Sequence, residues 1–379
     1  MAGLNYARAR LGATKSAGFY TAELPDYFNA MNRPDLVRQN IPLAPQTTIR
    51  LGGSARYYAE CTSVNEIRAC LQWAASTDRA VQVLGGGSNV LFADTGFDGL
   101  VLKIALHGLE FIGETVVAAA GEDWDSFVAA CVGRGLAGVE CLSGIPGLVG
   151  ATPIQNVGAY GQEVQDTIVE VQALDRQNLQ EVVFSAAQCD FAYRQSRFKT
   201  ADRDRHLITA VTYRLDASGL PQIRYPELRR QIGERLNSLN PGPPALTAVR
   251  ETVLQLRRGK SMLVDSEDAN ARSVGSFFLN PIITTEAFAK LQQQHPDIPS
   301  FPADNDVKVP AGWLVENAGF AKGFVQGGAG ISKHHALALV NRGGTMADIL
   351  TLAGEIQNAV KKIFNIRLER EPVLIGETT

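Results

Sequence analysis

Gly144-Ile145-Pro146-Gly147-Leu148-Val149-Gly150-Ala151-Thr152-Pro153-Ile154-Gln155-Asn156-Val157-Gly158-Ala159-Tyr160-Gly161 is the stretch that decides how this chain is read. Five glycines and two prolines in eighteen positions make neither an ordinary helix nor an ordinary strand, because glycine is too permissive and proline removes a donor. A segment this bare suits close approach of the backbone to a ligand, with amide N–H groups turned toward anionic oxygens. A second bare segment, Leu84-Gly85-Gly86-Gly87-Ser88-Asn89-Val90, follows the strand-like Ala80-Val81-Gln82-Val83. Two amide-rich loops in one chain point to a diphosphate held from two sides, the alternative being a pair of tight turns.

Familiar nucleotide and metal motifs are absent. No Gly-x-Gly-x-x-Gly opens a helix after either strand, and no Gly-x-x-x-x-Gly-Lys-Ser/Thr occurs, so neither a Rossmann site nor a P-loop is signalled. Without a Cys-x-x-Cys pair or a His-Glu-x-x-His, zinc has no obvious home. A dinucleotide bound here sits on some other fold.

Composition narrows the class. At 379 residues the chain is long for one core, so two or three domains are expected. A net charge of −3 with 20% charged residues gives no electrostatic case for nucleic acid or an acidic membrane. No apolar run approaches the roughly 18–20 residues that span a bilayer. Cys61, Cys70, Cys131, Cys141 and Cys189 are odd in number and lie in apolar patterns, which reads as buried thiols of a reducing compartment. No signal-peptide pattern opens the chain, so the expectation is a cytoplasmic protein with no obligate protein partner. Residues 1–36 carry Arg8, Arg10 and Lys15 before the first acidic residue, Glu23, and read as an extension.

From about residue 37 strand-like and helix-like segments alternate. Ser63-Val64-Asn65-Glu66 is a capping box followed by Ile67, Cys70, Leu71 and Ala74 at helical spacing. Strands are expected near 99–102, 115–120, 167–174 and 207–214, with Trp124, Phe127, Val128, Cys131 and Val132 on one helical face. Pro241-Gly242-Pro243-Pro244 reads as a linker, and 249–258 as a helix ending near Gly259. Thr345 to Asp348 caps a helix carrying Ile349, Leu352, Ala353, Ile356, Val360 and Ile363. A strand at Ile366-Arg367-Leu368 then leads to Glu369 and Glu371.

Seven blocks in this order resemble the UDP-N-acetylenolpyruvoylglucosamine reductase (UDP-N-acetylmuramate dehydrogenase) family over about residues 37–379. They are Thr48-Ile49-Arg50-Leu51-Gly52-Gly53, the loop at 84–92, the wrap at 144–161, and Phe191-Ala192-Tyr193-Arg194-Gln195-Ser196-Arg197-Phe198-Lys199. Gly275-Ser276-Phe277-Phe278-Leu279-Asn280-Pro281, Ala311-Gly312-Trp313-Leu314-Val315-Glu316 and Leu368-Glu369-Arg370-Glu371 complete the set. The resemblance implies an α+β chain: an FAD-binding fold of the vanillyl-alcohol-oxidase type in two subdomains, 37–103 (completed by 364–379) and 104–245. A C-terminal α/β substrate-binding domain follows, at 246–363. It further implies peptidoglycan precursor chemistry, in which NADPH reduces FAD and the flavin then reduces the enolpyruvyl ether of the nucleotide-sugar to a lactyl ether.

The resemblance also assigns residues. FAD is expected on Arg50, on Gly85, Gly86, Gly87, Ser88 and Asn89, and on Gly144, Pro146, Gly150, Ala151, Gln155, Asn156, Gly158, Ala159 and Tyr160. No histidine or cysteine lies in the two loops, so non-covalent FAD is expected. Reducing an enolpyruvyl double bond leaves negative charge spread into the substrate carboxylate, and a proton must reach the adjacent carbon. Arg194 matches the stabilising cation, whose fork suits a carboxylate, Ser276 the proton donor, and Glu371 the catalytic carboxyl. Glu369 is its rival, because a regular strand would put both carboxyls on one face. Tyr225, Lys260, Asn280, Lys322 and His335 match nucleotide-sugar positions, although a surface role also suits His335. Two departures stand out: Leu279 replaces a basic residue common before the asparagine, and Phe301 falls where some members have a mobile tyrosine. An FAD-linked oxidase or a non-catalytic nucleotide-sugar sensor would not need the Arg194, Ser276 and Glu371 set.

Overall fold

The structure is a computed structural model that describes residues 32–376. Most of the expected extension, residues 1–31, and the last three residues lie outside it. Two sheets dominate the first half. In the first, Arg38–Pro42 pairs antiparallel with Ser54–Cys61, which runs parallel to Phe97–Ile104, which in turn runs parallel to Val81–Leu84. The helix Val64–Ser76 connects the second and third of these in chain order, and its capping box is closed by Ser63 and Glu66 as expected. The second sheet is antiparallel throughout, in the order Glu181–Ser185, Ile168–Asp175, His206–Arg214, Thr115–Ala119, Leu109–Ile112.

Periodicity explains why these elements meet. The apolar face of Trp124–Gly133 places Trp124, Phe127, Val128, Cys131 and Val132 inside, and Trp124 Nε1 finds its partner at 3.0 Å in the Leu142 carbonyl. That face, the inner face of helix 64–76 and the inward residues of both sheets form one continuous core. A second core holds Phe277, Phe278, Leu314, Val315 and Ile331 with the helix Met346–Phe364. Ile49, Leu51, Leu91 and Ala93 belong to it too, so the C-terminal half is packed onto the first sheet region. Asp94 seals the junction by accepting from the Met346 and Ala347 amides at 2.9 and 3.3 Å, at the helix start where backbone donors are unsatisfied.

Three sequence expectations need correction. Pro243-Pro244 is no linker: the prolines occupy the first turn of the helix Pro243–Gly259, where a missing N–H costs nothing. Ile363 is 44% exposed and Phe364 takes its inward place, because the helix runs one residue further before Asn365 ends it in the left-handed region. Residues 366–368 are not a strand either. The terminal strand is Val373–Ile375, which runs parallel to Val90–Phe92, immediately after the glycine loop.

Candidate active site

The two bare loops touch. A Cβ on Gly86 would lie 2.6 Å from the Gly147 Cα, so only glycine permits the approach. Ser88 Oγ donates to the Pro146 carbonyl at 3.0 Å, and Asn89 Nδ2 to Gln155 Oε1 at 2.9 Å. Gly87, at φ +67, turns its carbonyl to the Thr48 amide at 3.1 Å, and any Cβ there would come 2.0 Å from the Gln46 oxygen. The amides of Gly85, Gly86, Gly87, Ser88 and Asn89 donate to no protein acceptor among the described residues. Five successive uncommitted N–H groups on a bare loop form a nest for anionic oxygens, and this fits the diphosphate of a dinucleotide.

Some residues expected on FAD already have side-chain partners within the protein. Asn156 is fully buried at φ +46, and its amide is committed: Nδ2 donates to Glu163 Oε2 at 2.8 Å and to the Ala192 carbonyl at 3.1 Å, while Oδ1 accepts from Gln165 N. Asn156 joins the wrap to the loop carrying Arg194. Arg50 is exposed, and its guanidinium is turned to the Pro45 carbonyl at 3.1 Å. Tyr160 lies edge-on to Tyr225, with ring centroids 5.4 Å apart.

The candidate catalytic cluster comes from three distant segments. Arg194 sits at φ +54 in an irregular loop; its Nη1 donates to the Asn156 carbonyl at 3.2 Å and its Nη2 to the Gly158 carbonyl. Its Nε lies 3.7 Å from Glu371 Oε1. Glu371 is delivered by the tail: its amide donates to the Phe277 carbonyl at 2.9 Å, Leu279 N donates to the Glu369 carbonyl at 3.0 Å, and Val373 N donates to the Asn89 carbonyl. The tail therefore runs from the 276–280 segment to the glycine loop with Glu371 between them. Gln155 Nε2, held by Asn89, donates to Glu371 Oε1 at 3.3 Å. Burial pushes the Glu371 carboxyl above its ordinary range, against the opposing pull of Arg194 and Lys199. Glu369 is exposed, and no regular strand aligns the two carboxyls. Ser276 precedes Phe277 in this pairing, and its hydroxyl has no protein hydrogen-bond partner among the described residues.

The residues matched to the nucleotide-sugar fall into two groups. Lys260 pairs with Glu227 at 2.6 Å and lies 5.8 Å from the Tyr160 ring; burial opposes its charge, but Glu227 and the two tyrosines outweigh it and raise its pKa. Half-buried His335 accepts from Leu337 N at 3.0 Å through Nδ1. Burial, with Lys260, Arg257 and Lys322 nearby, pushes it down to about 4, so it is a neutral acceptor and not a surface cation. Lys322 pairs with Glu316 at 3.6 Å. Asn280 belongs to the other group, with Oδ1 accepting from Ala311 N and Nδ2 3.4 Å from the Tyr193 hydroxyl. Lys308, which nothing in the sequence singled out, places Nζ 4.0 Å from the Tyr193 ring centroid. It stands in the short strand Asp306–Lys308 opposite Phe301, and Glu163 and Arg194 are the charges that act on it. Phe301 is 49% exposed.

Relatives share both halves of this arrangement. Residues 55–178 match the FAD binding domain, and residues 267–375 match the C-terminal domain of UDP-N-acetylenolpyruvoylglucosamine reductase. Loops, cluster and matched domains together define an FAD-dependent oxidoreductase. The chain is 46% identical to UDP-N-acetylenolpyruvoylglucosamine reductase of Thermobifida fusca over 90% of its own length and 98% of that protein. It is 47% identical to the enzyme of that name from Streptomyces coelicolor, over 88% and 89%. The crystal structure of the Thermus caldophilus UDP-N-acetylenolpyruvylglucosamine reductase shares its fold, with a TM-score of 0.63 at 22% identity over 89% of this chain and 99% of that one. This chain belongs to the UDP-N-acetylenolpyruvoylglucosamine reductase family.

Proposed function

We propose that the chain reduces UDP-N-acetyl-3-O-(1-carboxyvinyl)-glucosamine to UDP-N-acetylmuramate with NADPH, in the cytoplasm, as a step of peptidoglycan precursor synthesis. The observation that carries this reading is the junction of Arg194 and Glu371, 3.7 Å apart, with the Ser276 segment and the paired glycine loops. FAD held without a covalent bond on the nest at 85–89 and the wrap at 144–161 would accept two electrons from the nicotinamide and deliver them to the enolpyruvyl group. Arg194 offers its fork to the substrate carboxylate and stabilises the charge that develops there. Ser276, with its hydroxyl uncommitted, donates the proton to the adjacent carbon. An unassisted serine is a weak acid, so Glu371, its pKa raised by burial, and Arg194 supply the field in which the hydroxyl works.

Lys260 and Tyr225 at one end, and Asn280 with Lys308 at the other, are assigned to the nucleotide-sugar diphosphate and its neighbours, with His335 as a neutral acceptor. The subdomain division at 37–103 with 364–379, 104–245 and 246–363 is part of the proposal, supported by the pairing of 373–375 with 90–92. The five buried free cysteines support a reducing compartment. Among the described residues, no helix is long and apolar enough to cross a membrane.

The test is anaerobic and separates two steps. NADPH bleaches the flavin, and the enolpyruvyl nucleotide-sugar restores its colour with formation of the lactyl ether. Flavin that regains colour only when O₂ is admitted would make the protein an oxidase.

A further inference from the structure

Arg194 has a backbone conformation that a non-glycine residue keeps only when its surroundings impose it. The Ala192 and Gln195 amide–carbonyl pair closes the turn with two hydrogen bonds of 3.1 Å. On the far side Lys199 reaches back, and its Nζ donates to the Arg194 carbonyl at 3.0 Å. The stem of Lys199 starts from a fixed base. Ser196 Oγ, buried, donates to the Ile154 carbonyl at 2.7 Å, and Phe198 is buried edge-on against Phe184.

Lys199 is half-buried and has no carboxylate within ion-pair distance among the described residues. The charged groups facing it are Glu371, Arg194, Glu369 and Arg203, and those facing Glu371 are Arg194, Lys199 and the Tyr193 phenol. Arg194 and Glu371 are thus served by one ammonium, which anchors the backbone of the first and adds positive charge beside the second.

We propose that Lys199 is a positioning residue for substrate reduction, holding the Arg194 guanidinium in its working orientation through the hydrogen bond from its ammonium to the Arg194 carbonyl. The inference rests on the reductase reading above. An arginine displaced by the slackening of its own peptide meets a substrate carboxylate off-axis, and small displacements of a charge clamp cost large factors in rate. Removing the ammonium also removes one of the two cations that hold the Glu371 pKa down, so the pH limb belonging to that carboxyl moves to higher pH.

The experiment uses FAD-loaded Lys199→Met, Lys199→Gln and Lys199→Arg beside the parent, with Glu371→Gln to identify the Glu371 limb by its disappearance. Flavin reduction by NADPH stays at the parental rate. Reoxidation by the enolpyruvyl nucleotide-sugar falls roughly tenfold to a hundredfold in the Met and Gln variants. Their Glu371 limb shifts to higher pH, and Lys199→Arg, which keeps donor and charge, restores both rate and limb. Parental reoxidation with an unshifted limb in Lys199→Met overturns the proposal; should that variant lose its flavin, Lys199→Gln is judged by the same readouts. Equal losses in both half-reactions, unrescued by arginine, also overturn it and leave a merely structural lysine. A parent enzyme that is never reoxidised by the nucleotide-sugar refutes the reductase reading itself, which is a separate result.

Discussion

The two bare glycine loops and the candidate acid–base cluster are built by opposite means. The loops are made of backbone: glycines at 85–87 and 147 bring two chain segments into contact, and the groups left uncommitted are amides that any residue carries. The cluster is made of side chains, Arg194, Ser276 and Glu371, carried by segments far apart in the chain; hydrogen bonds between 277–279 and 369–371 join two of them, and the Arg194–Glu371 contact brings in the third. The contrast teaches where each part is vulnerable. A cradle of backbone fails sterically and all at once, whereas a cluster of side chains fails one chemical step at a time.

The largest effect is expected in the cradle. Gly87→Val places a Cβ 2.0 Å from the Gln46 oxygen at φ +67, and neither the carbonyl nor the backbone can yield cheaply. The variant should be colourless, with its melting temperature lowered, on the scale of the several kcal/mol that mark strain at a special φ. Absorbance at the flavin band against protein concentration checks it; a yellow, stable Gly87→Val would remove the basis for a glycine-dependent cradle. In the cluster, Glu371→Gln should keep FAD and melting temperature but slow reoxidation by the nucleotide-sugar about 10²–10⁴-fold. Exposed Glu369→Gln should stay near the parent, and a reversal would show that the tail is registered two residues wrong.

Ser276→Ala sharpens the comparison further. Stopped-flow should show flavin reduction by NADPH unchanged and substrate reduction slower by about 10²-fold. Equal slowing of both phases would make Ser276 a structural residue. Asn156→Ala tests the junction of the two regions. It strips partners from Glu163 and the Ala192 carbonyl in a buried place, which should cost about 1–3 kcal/mol in a denaturant titration. Flavin affinity and substrate reduction should both weaken modestly, and loss of only one would mean that the hub serves only that region.

A pH-dependent effect belongs to His335. Its folded pKa of about 4 lies below the ordinary 6.5, so the unfolded chain takes up the proton first. Stability should therefore fall as pH drops from about 6.5 to about 4 and level off below that. His335→Gln should flatten the slope in that window. An unchanged slope in thermal melts would place the acid sensitivity elsewhere.

Local chemistry made much of the fold legible in the sequence. The capping boxes at Ser63 and Thr345 start helices where the sequence says they start, because a cap is satisfied within four residues. The alternation at 115–119 and 206–214 and the glycine loops are likewise statements about neighbours in the chain. Proline misled at 243–244, since the same residue both breaks a helix interior and opens a helix. Resemblance, and not residue type, named Arg194, Ser276 and Glu371, and the choice between Glu369 and Glu371 stayed open until burial separated an exposed carboxyl from a covered one.

By itself the sequence determined that two bare loops flank an α+β core, that each helix has its inward face, and that a reductase-like set of residues is present. Tertiary structure alone decided that Gly86 meets Gly147, that the Asn156 side chain is a committed hub, and that His335 is half-buried. It also decided that Lys308 and Lys199 reach the cluster at all. Caps, turns and periodic faces are set by interactions over a few residues, which a sequence displays. The distance from Lys199 to the Arg194 carbonyl, or from Glu371 to Arg194, depends on how segments up to 177 positions apart are pressed together by two cores, and no local pattern encodes it.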